Sequence, residues 1–144
     1  MIKVLIMGLP GSGKTTLAVD LVNSLMPYAV WINADEVRSM YNDWDFSIEG
    51  RVRQSVRMRE LANQSNSEVV VCDFVAPLKE MRDVFNPDIL IWMDTISESR
   101  FNDTNSIFTK PDHCDFHITE KNSKFWSEKI ADFIKTKSVI YAVK

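Results

Sequence analysis

Cysteine, histidine and glycine are all scarce in this chain. Its 144 residues hold two cysteines, two histidines and four glycines. Two cysteines, Cys72 at the end of an apolar run and Cys114 in a polar one, do not make a disulfide scaffold in a chain with enough apolar residues for a core. A reducing compartment, the cytoplasm, is the expected setting. Four glycines and five prolines exclude collagen, and nothing in the composition suggests disorder. No apolar run approaches the length of a membrane span, so no membrane partner is expected. The N-terminal "MIKVLIMGLPG" has too short an apolar run for a signal peptide and is expected to supply a strand. No repeat, low-complexity tract or linker interrupts the chain, which predicts one domain over residues 1–144. Positive charge is not in excess. The net charge is −3 and the pI about 5.4, which argues against sequence-blind coating of nucleic acid but leaves an oligonucleotide end admissible as a substrate. His113, Cys114 and His117 fit no tidy zinc spacing.

What is present is a regular alternation. Short apolar runs at Ile2–Met7, Ala29–Ile32, Glu68–Cys72 and Asp88–Met93 read as buried strands, with "DFHI" at 115–118 a fifth. Between them lie helical patterns: Leu17 to Leu25, closed by Pro27; "NADEVRSMY", opening at Asn33 or Asp35; Ser47 to Gln64; and Leu78 to Phe85. Trp126, Ile130, Phe133 and Ile134 mark a last amphipathic helix, from about Ser123 to Lys135. Residues 96–114 are polar and poorly periodic, and the apolar tail "SVIYAVK" is left unassigned, as an edge strand or a partner contact. Alternation of this kind predicts an α/β fold, a parallel sheet of about five strands with helices on both faces. Such sheets bind ligands beyond the carboxyl ends of their strands.

The first of those ends carries "GLPGSGKTT". Gly8, Gly13, Lys14 and Thr15 fit the pattern G-x-x-x-x-G-K-[ST], the phosphate loop of P-loop nucleotide-binding proteins. Here it follows a predicted strand and opens a predicted helix, the context the pattern requires. Pro10, Gly11, Ser12 and Gly13 would wrap the phosphates, with the N–H groups of the last three and of the helix start facing them; Lys14 would reach the β- and γ-phosphates, and Thr15 would offer its hydroxyl to Mg²⁺. Thr16 completes the expected ATP-binding set.

A base-reading segment of a GTPase is lacking. "TKPD" at 109–112 has the letters, but no strand precedes it and Pro111 distorts the loop. A kinase needs instead a carboxylate beside the acceptor hydroxyl and cations to hold the acceptor. Asp35 follows the second strand, where a carboxylate would face the γ-phosphate; its structural alternative is a helix cap. Asp73 follows the third strand and would orient Mg²⁺ through water, or serve only as a turn residue. In the helix from Ser47, Ile48, Val52, Ser55, Met58 and Ala62 form a stripe that Arg51 joins near its start and Arg59 near its end. A charge in a buried stripe needs an anionic partner. Arg51, nearest the "NDWDFS" turn, is the expected acceptor-binding cation. Arg59 is expected in an ion pair or with a snorkelling stem. Glu49, Arg53, Arg57 and Glu60 read as a solvated, mutually paired face.

Together these residues resemble the adenylylsulfate kinases, small P-loop kinases that phosphorylate the 3′-hydroxyl of adenosine 5′-phosphosulfate. The likeness runs from residue 1 to about 95. The family's D-x-D-x-[VI]-R segment appears as "NADEVR", with Asn33 for the first aspartate. Its phenylalanine–serine pair and following arginine and asparagine appear as Phe46, Ser47, Arg51 and Gln54. Its I-S-P segment appears as Val75, Ala76 and Pro77, with Arg82 downstream, and its V-D-T as Met93, Asp94 and Thr95. The resemblance implies that Asp35 is the catalytic base, assisted by Lys14. It also implies that Arg38, Phe46, Arg51 and Gln54 bind the acceptor nucleotide beside Val75 and Pro77, with Phe46 stacking on its adenine. The lid is shorter than the family's and offers mainly Arg100 and Lys110, Arg100 being the expected ATP contact. A homodimer is compatible with the resemblance. The alternatives left open are a nucleoside or polynucleotide 5′-hydroxyl kinase and a non-catalytic nucleotide-binding switch.

Overall fold

The computed structural model describes residues 1–137, and the tail at 138–144 lies outside the described residues. Five strands form one sheet: β1 (Ile2–Met7), β2 (Ala29–Asn33), β3 (Val69–Asp73), β4 (Ile89–Met93) and β5 (Phe116–Ile118). Their order is β2-β3-β1-β4-β5 and every pairing is parallel. The connections are α1 (Lys14–Leu25), α2 (Ala34–Tyr41), α3 (Ile48–Gln64), α4 (Lys79–Phe85), α5 (Asn102–Ile107) and α6 (Ser123–Lys137). Among the described residues no helix is long and apolar enough to cross a membrane.

The strand sequences explain why both faces are covered. Successive residues of a strand point to opposite faces. Val4 and Ile6 pack with Leu17, Leu21, Ile130 and Ile134, so α1 and α6 cover one face. Leu5 and Met7 pack with Met58, Ala62, Met81 and Phe85, so α3 and α4 cover the other. A strand buried on both sides needs an unbroken apolar run, and "VLIM" and "VVVC" are such runs.

The strand order reverses at β1, which pairs with β3 on one side and β4 on the other. That reversal opens a crevice at the carboxyl ends of the strands. Register aligns what borders it: Asp73 pairs with Ile6 on one side and with Asn33 on the other.

Three expectations are revised. The polar stretch 96–114 contains the helix α5, too short at six residues to show a period. Its sequence holds few strong helix formers, and it is fixed from outside: Asn105 exchanges hydrogen bonds with Ser99, and Arg51 binds Thr104. Asp73 is the last residue of β3 rather than a turn residue beyond it. The buried face of α3 runs through Gly50, Arg51, Gln54, Ser55, Met58 and Ala62, while Ile48 is exposed. The face turns because Gly50 packs against the preceding turn. A β-carbon there would lie 2.2 Å from the carbonyl oxygen of Asp45.

Candidate phosphotransfer site

The loop between β1 and α1 has the backbone that phosphate binding needs. Gly8 has φ +149°, and a β-carbon on it would lie 2.5 Å from the Met93 carbonyl oxygen, so only glycine fits at the strand end. Gly13 caps α1 with no side-chain bond to the helix's first N–H groups, and no acidic residue sits in the first turn. Those N–H groups and the positive end of the helix dipole are available to an anion. The Ser12 hydroxyl is buried without a hydrogen-bond partner, an unsatisfied polar atom inside the cradle. Thr95 donates to the Ser12 carbonyl at 2.7 Å and fastens the loop to the end of β4.

Lys14 donates to the Leu9 carbonyl at 3.0 Å. Burial lowers its pKa to about 8, against the attraction of Asp73 and Asp35. Thr15 donates to Asp73 at 3.0 Å. The same carboxylate accepts from the Trp31 indole at 2.6 Å and from the Asn33 amide at 3.3 Å. Burial raises the pKa of Asp73, and these donors together with Lys14 pull it back down. A hydroxyl beside a carboxylate is a pair of hard oxygen donors, which suits Mg²⁺ completed by phosphate and water ligands. The loop, Lys14, Thr15 and Asp73 therefore fit a magnesium-bound nucleoside triphosphate.

Asn33 resolves the two readings of Asp35. The helix α2 is capped by Asn33, whose side chain accepts from the Glu36 N–H at 3.0 Å. Asp35 is thus free of the cap. It lies exposed in the first turn of α2, on the wall of a cavity of about 540 Å³ shared with Lys14, Thr15 and Asp73.

The far wall of that cavity carries the cations. Arg38 donates to the Asp43 carbonyl at 3.0 Å and the Asp45 carbonyl at 3.2 Å, and its guanidinium lies 4.3 Å from the Phe46 ring centre. Arg51 donates to the Phe46 carbonyl at 2.8 Å and the Thr104 hydroxyl at 2.9 Å, with the Asp103 carboxylate 3.7 Å away. It serves both as a cavity cation and as a structural brace. Gln54 donates to the Ala34 carbonyl at 2.9 Å, and its Oε1 is buried with no partner. Val75, Ala76, Pro77, Trp44 and Arg100 complete the wall. Ala76 has φ +45°, a strained conformation for alanine before proline, held by Arg82 donating to its carbonyl at 2.9 Å.

The structure gathers the expected site residues at two places. Pro10, Gly11, Lys14, Thr15, Asp35, Arg38, Phe46, Arg51, Gln54, Asp73, Val75, Pro77 and Arg100 line the cavity. Gly13 and Thr16 line a smaller cleft of about 220 Å³ on the other side of the loop, and Gly8 and Ser12 lie beneath it. That cleft adds Lys121 and Asn122, which the sequence reading did not single out, and Trp126, which it placed on the face of the last helix. Lys121 donates to the Gly11 carbonyl at 2.9 Å. The available signal for Lys121 and Asn122 was their position just past the end of β5, the same rule that marked Asp35.

Other charges fall differently from expectation. Arg53 and Arg57 do not pair with Glu49 and Glu60. They converge on Asp43, at 2.7 and 2.6 Å, and Arg53 also reaches Asp45 at 3.1 Å. Their face is the anchor of the 43–47 turn. Arg59 is in no ion pair among the described residues; its guanidinium reaches the Val84 carbonyl at 3.5 Å. His117 stacks on Trp92 and bonds Asp94 at 2.8 Å. No group of three or more His, Cys, Asp or Glu among the described residues could hold a metal ion.

The family model for adenylylsulphate kinase matches residues 1–96. A probable adenylyl-sulfate kinase of Aeropyrum pernix is 36% identical over 83 residues, covering 54% of this chain and 45% of that protein. The chain thus spans less than half the length of this curated relative. Among solved structures, the APS kinase of Mycobacterium tuberculosis in complex with AMPPNP and APS superposes with a TM-score of 0.80 at 19% identity, covering 93% of this chain and 97% of that one. Shikimate kinase from Acinetobacter baumannii in complex with shikimate gives 0.64 at 18% identity, covering 96% of each. These superpositions establish the P-loop kinase fold. With the family model covering 96 of 144 residues, the chain belongs to the adenylylsulphate kinase family.

Proposed function

We propose that this chain is an ATP-dependent kinase acting on a hydroxyl of a small nucleotide-like acceptor, with the 3′-hydroxyl of adenosine 5′-phosphosulfate the favoured target. One observation carries the reading. The Lys14, Thr15 and Asp73 cluster and the Asp35, Arg38 and Arg51 group face one another across a single cavity. Family membership supports the reaction class. The neighbour solved with AMPPNP and APS supports the choice of donor and acceptor.

In this reading the loop N–H groups and Lys14 hold the donor phosphates and offset charge as it spreads over the transferred group. Thr15 and Asp73 would hold a magnesium ion, which when bound would supply further charge neutralisation. Asp35, not engaged in capping, accepts the acceptor hydroxyl's proton at a carboxylate oxygen as the new O–P bond forms and the bond to the leaving diphosphate breaks. Arg38 and Arg51 hold the acceptor's anionic group, and Phe46, 46% exposed, offers its ring to the base. Gln54 Oε1 accepts an N–H or O–H of the acceptor, which would satisfy its buried lone pairs. Val75 and Pro77 form the apolar wall, and Arg100 at the mouth reaches the phosphates. The same reading takes residues 1–144 as one kinase domain working in the cytoplasm, as a monomer or a homodimer.

The test is a transfer assay with γ-labelled ATP and Mg²⁺. Separate reactions contain adenosine 5′-phosphosulfate, free nucleosides, and a 5′-hydroxyl oligonucleotide. Label on adenosine phosphosulfate is the expected result. Label on the oligonucleotide or a nucleoside alone would reassign the acceptor. Intact ATP binding with no transfer to any of them would contradict a kinase.

A further inference from the structure

The geometry points to Asp103 as a specificity-determining residue, an internal carboxylate that occupies the acceptor anion's place at Arg51. This rests on the reading of Arg51 as an acceptor cation. Arg51 is 7% exposed, and its guanidinium opens onto the cavity. Two of its nitrogens are already used, Nε on the Phe46 carbonyl and Nη2 on the Thr104 hydroxyl. The one negative charge paired with it is Asp103, at 3.7 Å. Asp103 is the opposite of Arg51 in setting: its side chain is 70% exposed, in the first turn of α5, and it too lines the cavity.

That asymmetry decides what Asp103 does. A buried guanidinium without a counter-ion is costly, so some anion is favoured beside it. Burial pulls the Arg51 pKa down, and Asp103 is the charge that opposes this. Thr104 binds Arg51 at hydrogen-bonding distance and braces α5 against α3, whereas Asp103 at 3.7 Å adds charge without a hydrogen bond. An acceptor anion arriving at Arg51 meets this carboxylate already there. The two like charges repel, and the exposed Asp103 side chain swings into solvent to admit the ligand. Asp103 thus holds Arg51 in place when the site is empty and competes when it is filled. The repulsion scales with the ligand's charge, so the carboxylate penalises a doubly charged acceptor more than a singly charged one and selects on acceptor charge.

The experiment compares wild type with Asp103→Asn, which keeps the side chain's shape and removes its charge. Two probes are titrated, inorganic sulfate alone and adenosine 5′-phosphosulfate. The Asp103 end of the pair is exposed to solvent, and ion pairs so screened contribute about 0.2–1 kcal/mol, so both probes should bind about 1.5- to 5-fold more tightly to Asp103→Asn. ATP affinity should be unchanged, the gain should shrink in high salt, and Asp103→Glu should restore wild-type values. The gain should also vanish when Arg51 is replaced by alanine in the same chain, since the effect runs through that pair. Unchanged or weaker binding of sulfate to Asp103→Asn would overturn the proposal, as would a gain that persists without Arg51. If Arg51→Ala alone leaves adenosine phosphosulfate binding untouched, the reading of Arg51 as an acceptor cation fails separately. Sulfate is a probe that does not depend on the acceptor's identity.

Discussion

Thr15 in the first turn of α1 and Asp73 at the carboxyl end of β3, 58 positions apart in sequence, meet at 3.0 Å. The pair exists because β1 and β3 are neighbours in parallel register, Ile6 beside Asp73. It puts a carboxylate where burial disfavours its charge, and the functional claim requires that charge.

Asp73→Asn separates the two. The folded-state pKa of Asp73 is raised, mainly by burial. Its contribution to stability is therefore fully present below the unfolded value of 3.8 and is lost as pH rises through the higher folded value. At neutral pH the ionised form costs stability, so Asp73→Asn should raise Tm. The same substitution should raise the Mg²⁺ needed for half-maximal rate by about 10- to 100-fold. Thermal unfolding and a magnesium titration check the two halves. A lower Tm with an unchanged magnesium requirement would show Asp73 to be purely structural.

Lys14 predicts a proton linkage. Its pKa, ordinarily 10.5, is lowered to about 8 by burial. Between those values the unfolded chain holds a proton that the folded one has released, so stability from this group rises with pH across that window. Phosphates favour the charged lysine, so ATP binding above pH 8 should take up a proton and weaken as pH rises. Calorimetry in two buffers of different ionisation enthalpy measures the uptake. Lys14→Met should remove it and weaken ATP roughly 10- to 150-fold, equivalent to about 1.5–3 kcal/mol for a charged hydrogen bond. Absence of proton uptake in the wild type would contradict this role.

Gly50 and Asp43 predict how the acceptor wall is held. A methyl group at Gly50 would meet the Asp45 carbonyl at 2.2 Å. Gly50→Ala should push the 43–47 turn outward, costing about 1–3 kcal/mol of stability and raising the acceptor KM while ATP affinity holds. Asp43→Asn weakens the bonds from Arg53 and Arg57 and should shift the same KM in the same direction. An equal loss of ATP affinity in either variant would mean that the turn does not serve the acceptor side specifically.

What was legible in the sequence follows from distance along the chain. The strands and the phosphate loop were readable because unbroken apolar runs and a glycine-rich turn carry their signal locally. Asp35 was marked by its strand-end position, and the local cap at Asn33 explains why it remains free. Less was visible where the partner lies far away. The placing of α5 depends on Arg51, contributed by α3. Arg53 and Arg57 were assigned to neighbours on their own helix because helical spacing says nothing of a turn that folds back beside it. Gly50 carried no visible signal, since its need is set by one close approach in space.

In the proposed reaction Asp35 stands between donor and acceptor as the base. Asp35→Asn, assayed for transfer to adenosine 5′-phosphosulfate beside direct measurement of ATP affinity, tests it most directly. The expected rate is lower by about 10²–10⁴-fold, with ATP affinity unchanged. Wild-type turnover in Asp35→Asn would contradict it.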